Sequence, residues 1–266
     1  MKAPGRRARD PRACRRACLI TAAAVAGLSM VAGAQTAKHY ALETLDGLRP
    51  HNVTTVPATL GGRKGVRVNA TDEIRRRMRA MTPEERDKAT RASGGTAEHL
   101  VVIDGLEFGN GTIEAEVAGT VAPGVFEGAR GFVGIAFRVQ NDLRTYDAFY
   151  LRPTNGRADD QVRRNHSAQY IAHPDWTWSR LRTETPEKYE SYVDLVPGEW
   201  TQVRIEVRGE KARLYVHGQA QPTLIVNDLK SGPNGRGAIA LWLEVSTDAY
   251  YRNLVVTPEA GPAPPQ

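Results

Sequence analysis

Apolar and polar residues alternate one for one in segment after segment of this chain, and that period fixes what it can fold into. In "GTIEAEVAG" (111–119), Ile113, Ala115 and Val117 share one side, and Thr112, Glu114 and Glu116 share the other. The stretches "GFVGIAFRV" (131–139), "YDAFYLR" (146–152), "EWTQVRIEVRG" (199–209), "KARLYVHG" (211–218), "GAIALWLEV" (237–245) and "AYYRNLVV" (249–256) repeat the pattern. Side chains of a strand point alternately to opposite faces, so this period predicts strands with one buried and one solvated face. Such sheets bury their apolar faces against each other. The expected fold is all-β, a two-sheet antiparallel jelly-roll sandwich. One segment departs from it. "TDEIRRRMRAMTPEERDKATRASGG" (71–95) is charged and helix-forming, and Thr82-Pro83-Glu84-Glu85 combines an N-cap, a proline at the first helical position and a capping-box glutamate. It predicts a small helical insertion near 72–92 with its charges facing solvent.

The first residues read as a secretory signal, residues 1–34: an arginine-rich start, the apolar "CLITAAAVAGLSMVAGA", and Ala32-Gly33-Ala34 as an A-x-A cleavage site. Removing this leader takes away seven Lys or Arg and only Asp10 among the acids. Of 36 basic and 30 acidic residues, 29 of each remain, so the formal charge of +6 belongs to the leader. A nucleic-acid partner loses its electrostatic support, and no stable membrane span is expected after cleavage. Both cysteines, Cys14 and Cys18, leave as well, which excludes a disulfide, a thiolate nucleophile and a cysteine metal site in the mature chain. The expectation is an exported protein, periplasmic or extracellular, from a bacterial source. It consists of one sandwich over 35–256 and a disordered proline-rich tail over 257–266.

The densest polar segment is "RPTNGRADDQVRRNHSAQY" (152–170), directly after the strand "YDAFYL". Arg152, Arg157, Arg163 and Arg164 suit bidentate contacts to a carboxylate or sulfate on an acidic glycan. Asn155, Asn165 and Gln169 add neutral hydrogen-bonding groups. Asp159 and Asp160 can accept sugar hydroxyls, ligate Ca²⁺ together with backbone carbonyls, or work as acid and base. His166 can shuttle a proton near neutral pH. The same residues also suit an ordered loop closed by Arg–Asp pairs. No loop pattern specifies calcium, so Ca²⁺ stays open at these aspartates, and no other cofactor is indicated. Trp176 and Trp178, two apart, share a face if extended, either to stack on sugar rings or to cap the core; Tyr189 and Tyr192 present the same choice. By parity Trp242 and Glu244 oppose Leu241 and Leu243, and with Glu114, Glu116, Tyr150 and Arg152 they are expected to line one polar sheet face.

"GTIEAEVAG", "GFVGIAFRV…YDAFYLRP" and the closing "GEWTQVRIEVRGEKARLYVHGQ…GAIALWLEVSTDAYYRNLVV" resemble the concanavalin A-like lectin/glucanase superfamily. Within it the chain is most similar to laminin-G-like domains and the 3-keto-disaccharide hydrolase domain family. The resemblance covers about residues 100–256 and more loosely 38–70, with Tyr251-Arg252-Asn253-Leu254 matching an "F-R-N-I"-like ending. It implies a carbohydrate partner. A glutamate that the keto-disaccharide family tends to carry after its "G-I-x-F/L-R" strand is replaced here, at Asp147 or Phe149. The E-x-D-x-x-E strand of family 16 glycoside hydrolases is absent, so that retaining chemistry does not carry over.

Three functions stay open on the sequence. The first is an exported carbohydrate-binding domain that uses the Arg/Asp/His loop and the adjacent sheet face. The second is a glycoside hydrolase or lyase of the 3-keto-disaccharide hydrolase-like type, with Asp159, Asp160 and His166 in catalytic roles. The third is a structural envelope or adhesion module.

Overall fold

The computed structural model describes residues 36–93, 99–126 and 129–259, and the leader lies outside them. The alternating segments form two antiparallel sheets. The larger sheet runs in the order β13 (Leu224–Val226), β12 (Lys211–Val216), β11 (Thr201–Arg208), β6 (Gly111–Val121), β15 (Thr247–Pro258), β4 (Arg63–Ala70), β3 (Val53–Leu60), with β1 (Lys38–Tyr40) also on β15. The smaller runs β10 (Glu190–Ser191), β9 (Ala168–His173), β8 (Tyr146–Leu151), β7 (Val133–Val139), β14 (Ala238–Leu243), β5 (Leu100–Ile103), β2 (Leu48–His51). Neighbours in space are often distant in sequence, as where β6 lies between β11 and β15. That exchange of strands between layers makes the sandwich a jelly roll.

The core lies between the sheets. Val117, Val203, Ile205 and Leu214 of the larger sheet meet Val133, Ile135, Phe149 and Leu151 of the smaller. These are the residues that alternation turns inward. Tyr251 crosses the core and donates its hydroxyl hydrogen bond to the carbonyl of Trp242, tying one layer to the other. The turn between β11 and β12 is a two-residue connection, Arg208 pairing with Lys211 and Gly209 at φ 59°.

Three local features refine the expectation. The helical segment is two helices, α1 (Asp72–Ala80) and α2 (Pro83–Ser93), because Met81 is extended ahead of Pro83. The capping box forms in both directions: Glu85 N–H donates to Thr82 Oγ1 at 3.2 Å, and Thr82 N–H to Glu85 Oε2 at 2.8 Å. β15 continues to Pro258, so Thr257 and Pro258 pair with Thr112 and Gly111. Residues 260–266 lie outside the described residues.

The larger departure concerns the smaller sheet. β7, β8 and β9 are buried on both faces along their whole length, although alternation predicts one solvated face. Aromatic residues fill the outer face instead. Trp242, Gly134 and Tyr150 sit side by side on β14, β7 and β8. With only a hydrogen on Gly134, the Tyr150 and Trp242 rings stack across it at 4.6 Å. Tyr150 also stacks on Phe132 at 5.6 Å, and Trp242 Nε1 donates to Tyr146 Oη at 3.1 Å. Each such ring pair contributes roughly 0.5–1.5 kcal/mol beyond its buried area.

At the other end of β7, Arg138 is a buried cation whose donors go to loops. It bonds Gly109 O, Ser231 Oγ, Gly232 O, Asn110 Oδ1 and Gly209 O at 2.7–3.3 Å. Asp147, the candidate for the family's glutamate position, faces the core beside this knot and accepts from Tyr170 Oη. Burial raises its pKa, against the hydrogen bonds of Ser231 and Tyr170.

A Cβ on Gly134 would stand 2.2 Å from Phe149 O and 2.6 Å from Tyr150 Cα. Gly134→Ala is therefore expected to cost about 2 kcal/mol or more, as overpacking of a closed core does. Urea unfolding measures this, and an unchanged midpoint refutes it.

Candidate functional site

The polar segment after β8 is ordered, as two short helices, α3 (Pro153–Gly156) and α4 (Gln161–Asn165), before β9 begins. Their ends depend on local chemistry: Pro153 starts α3, and Asp160 Oδ1 caps α4 by accepting from Arg163 N at 3.1 Å. The loop folds back over the strand end where Arg152 sits.

Arg152 is 3 % exposed and organises the site. Its Nη2 donates to Tyr150 Oη at 2.8 Å and Gln169 Oε1 at 3.0 Å; its Nη1 donates to His166 O at 2.9 Å and Glu190 Oε1 at 3.3 Å. The guanidinium also lies 5.0 Å from the Phe132 ring centre and 5.1 Å from that of Tyr150. Glu190 sits opposite Gln169 where β10 pairs with β9. It takes a second cation, Arg182 from α5 (Trp178–Glu184), whose Nε lies 3.1 Å from Oε2 and whose Nη2 also reaches Oε1. The third partner is His166, with Nδ1 2.6 Å from Glu190 Oε2, a contact that becomes an ion pair only when the imidazole is protonated.

The charges set the protonation states. Burial pushes the Glu190 carboxyl up, but the Arg182 hydrogen bond and the charges of Arg152, Arg182 and His166 outweigh it, so its pKa is lowered. His166 is held below its usual value, first by burial and then by Arg182 and Arg152, against the pull of Glu190. The imidazole is therefore neutral at neutral pH and able to accept a proton, with a carboxylate beside it to stabilise the cation formed.

Several expected site residues are elsewhere. Glu114 and Glu116 are on β6 of the other sheet and share no face with Trp242; Glu116 binds Arg63 and Asn253 there. Parity gives each strand two faces but does not say which sheet the strand joins. Trp242 is fully buried, its ring packed on Tyr150, so it stacks on no sugar. Asp159 is exposed, Asp160 is the helix cap, and the carboxylate facing His166 is Glu190. Arg157 forms a bidentate surface pair with Asp194 at 2.8 Å, and Arg164 packs on Tyr192. Asn165 is exposed and accepts from Gln161, whereas Asn155 is buried and donates to His166 O at 3.3 Å. Trp176 and Trp178 do not pair. Trp176 lies under Arg180 and Lys230, and Trp178, the first residue of α5, under Arg182. Tyr189 bonds Asp228 at 2.6 Å. Among the described residues no three His, Cys, Asp or Glu side chains gather to hold a metal. No helix there is long and apolar enough to cross a membrane.

Sequence reasoning missed Glu190 and Arg182. Glu190 alternates with Tyr189 and Ser191 in a two-residue strand too short to show a period. Only its lone acidic position between two tyrosines, in "KYESY", set it apart.

Two antiparallel sheets in this order, with a polar cluster over the outer face of one of them, define a concanavalin A-like β-sandwich. The chain belongs to the 3-keto-alpha-glucoside-1,2-lyase-like domain family, whose profile matches residues 63–257. No curated protein sequence matches it. Solved structures similar to it include the carbohydrate-binding module CBM66 from Bacillus subtilis, at 11 % identity over 79 % of this chain and 98 % of that one, TM-score 0.46. Others are domain 4 of AbnA, a GH43 extracellular arabinanase from Geobacillus stearothermophilus solved with arabinotriose (11 %, 85 % and 93 %, TM-score 0.42), and a Bacillus licheniformis β-glucanase (10 %, 83 % and 97 %, TM-score 0.41).

Glu244, two residues past Trp242, accepts from Ser246 N at 2.9 Å and from Ser246 Oγ. As a whole residue it is half-buried, but its carboxyl is packed among protein atoms and its pKa is pushed up to about 7. Unfolded, the group ionises near 4.5. Between those values the folded chain holds a proton that the unfolded chain has lost, so stability falls as pH rises through this window. Glu244→Gln is expected to flatten that slope. Denaturant unfolding at about pH 5 and about pH 8 measures it, and parallel slopes for the two proteins refute the assignment.

Proposed function

We propose that this protein is an exported lyase-type enzyme that cleaves a 3-keto-glucoside at the His166–Glu190 pair. The observation that carries the reading is a neutral imidazole set 2.6 Å from a buried carboxylate which two arginines keep ionised. The family supplies the substrate class, and the arginine-rich leader ending in Ala32-Gly33-Ala34 supports export.

The chemistry follows from the substrate. A ketone at C3 acidifies the proton on C2, and His166 takes that proton as general base. The electron pair left on C2 delocalises onto the C3 oxygen as an enolate. It then forms the C1–C2 double bond as the C1–O bond breaks; the departing oxygen takes a proton from water to leave as an alcohol, and the His166 imidazolium gives its proton up to the hydroxide so formed. Arg182, a third exposed at its side chain, is the cation of the cluster best able to meet the enolate oxygen. Glu190 lowers the energy of the imidazolium while it exists. Arg152, wholly buried, positions Glu190 and the His166 carbonyl and does not reach substrate.

A chromogenic 4-nitrophenyl 3-keto-α-glucoside tests this against the parent α-glucoside, which lacks the acidifying ketone. Turnover of the keto compound alone is expected. His166→Ala should lower kcat by about 10²–10⁴-fold, the usual worth of a general base. Glu190→Gln should move the acidic limb of the pH profile further down, because the charge that raises the His166 pKa is gone. Unchanged turnover in His166→Ala would sink the assignment. Saturable glycoside binding without turnover would restore a binding-module role.

A further inference from the structure

Tyr189 and Tyr192 lie on either side of Glu190 and Ser191, and the fold separates their roles. Tyr189 is buried and bonded to Asp228. Tyr192 keeps 42 % of its surface exposed, and among the described residues it is the one aromatic side chain among the large apolar ones left open. Its neighbours give it a defined place. Alternate residues of an extended chain face the same way, and here Glu190, Tyr192 and Asp194 all meet the loop at 152–170. Glu190 meets His166 Nδ1 at 2.6 Å, Tyr192 Oη meets Arg164 Nη2 at 3.0 Å, and Asp194 meets Arg157 Nε at 2.8 Å. The first two contacts lie side by side, because their partners are two residues apart on both segments. Extended chain advances roughly 3.3 Å per residue, so the Tyr192 backbone stands about 7 Å from that of Glu190.

Arg164 fixes the ring. It donates to the Tyr192 hydroxyl, and its guanidinium carbon lies 5.2 Å from the ring centre. Arg163, the preceding residue, turns instead to neutral oxygens of its own loop, Thr154 O at 3.4 Å and Asn155 Oδ1 at 3.5 Å. A side chain already held in place loses little freedom when a ligand packs on it. Such a ring takes up a flat apolar face, from an aromatic group or from the C–H side of a pyranose. Two cation–aromatic pairs thus adjoin His166 and Glu190. Arg182 comes from α5 and packs on Trp178; Arg164 comes from α4 and packs on Tyr192.

We infer that Tyr192, held by Arg164, is the platform for the leaving group, so that the protein favours α-glucosides whose C1 oxygen carries a flat ring over those with a small alkyl group. C2, which His166 deprotonates, has C1 and C3 as its ring neighbours. With the C3 oxygen turned to Arg182, C1 and its substituent turn to Tyr192. This inference rests on the proposed function in placing C2 at His166. An aromatic leaving group and a second sugar share the flat face that the ring recognises, and binding tells them apart.

Titration calorimetry with methyl α-glucoside, benzyl α-glucoside and maltose tests it; all three lack the ketone that turnover requires. At least one ring-bearing glucoside is expected to bind about two- to tenfold more tightly than the methyl compound, the worth of one stacked ring. Benzyl ahead of maltose identifies an aromatic leaving group, and the reverse a sugar. The gain should disappear in Tyr192→Ala and in the bulkier Tyr192→Leu, and persist in Tyr192→Phe. The methyl compound should bind all four proteins equally. The position is exposed, and the melting temperature checks that each variant folds. Equal binding of the three ligands, binding of none, or a gain that survives in Tyr192→Ala overturns the platform. The two readings separate cleanly. His166-dependent turnover of 3-keto-glucosides with no ring preference in binding removes the platform alone. A ring preference lost in Tyr192→Ala, with turnover indifferent to His166, removes the proposed chemistry alone.

Discussion

A guanidinium withdrawn from water must find a partner for nearly every N–H it carries, and at Arg152 that requirement assembles the site. Its partners come from β8, β9, β10 and the turn after α4. An uncompensated buried charge costs several kcal/mol, so none of these segments can move away without exposing the others to that penalty. The aromatic row beneath supplies the remaining contact, with Phe132 and Tyr150 presenting ring faces to the cation. The main chain at His166 and the Glu190 carboxylate are both fastened to this one buried charge.

Much of the fold was legible because alternation is a backbone property. Ile113, Ala115 and Val117, or Ile239, Leu241 and Leu243, reach the core as their parity requires. The capping box at Thr82 was legible for the same reason: it depends on four consecutive residues and nothing distant. The outer face of the smaller sheet was not. Tyr150, Arg152 and Trp242 read as polar or amphipathic positions and are among the most buried in the protein. The stacking of Tyr150 and Trp242 depends on Gly134, a residue on the intervening strand whose significance appears only once β14, β7 and β8 are known to be neighbours.

Of the polar cluster around Arg152, one half was legible. Arg152, Asn155, Arg163, His166 and Gln169 lie in one continuous polar run, and the density of that run marked it. Its carboxylate was misplaced. Asp159 and Asp160 are near His166 in sequence, but the helix that Asp160 caps consumes one of them, and the other faces solvent. Glu190 comes from twenty-four positions downstream of His166 and meets it only because β10 pairs with β9. Contacts of this kind between distant segments leave no local period or spacing to read.

The Arg138 knot stands at the opposite end of β7 from Phe132, six residues or roughly 20 Å of extended strand away. It fastens the β11–β12 turn, the link between β5 and β6, and the 231–232 turn to one point. One pole of the molecule is thus a fixed anchorage, and the candidate site lies at the other. The loops around His166 share none of the Arg138 hydrogen bonds, so a change in them leaves the closure of the sandwich at the far end intact.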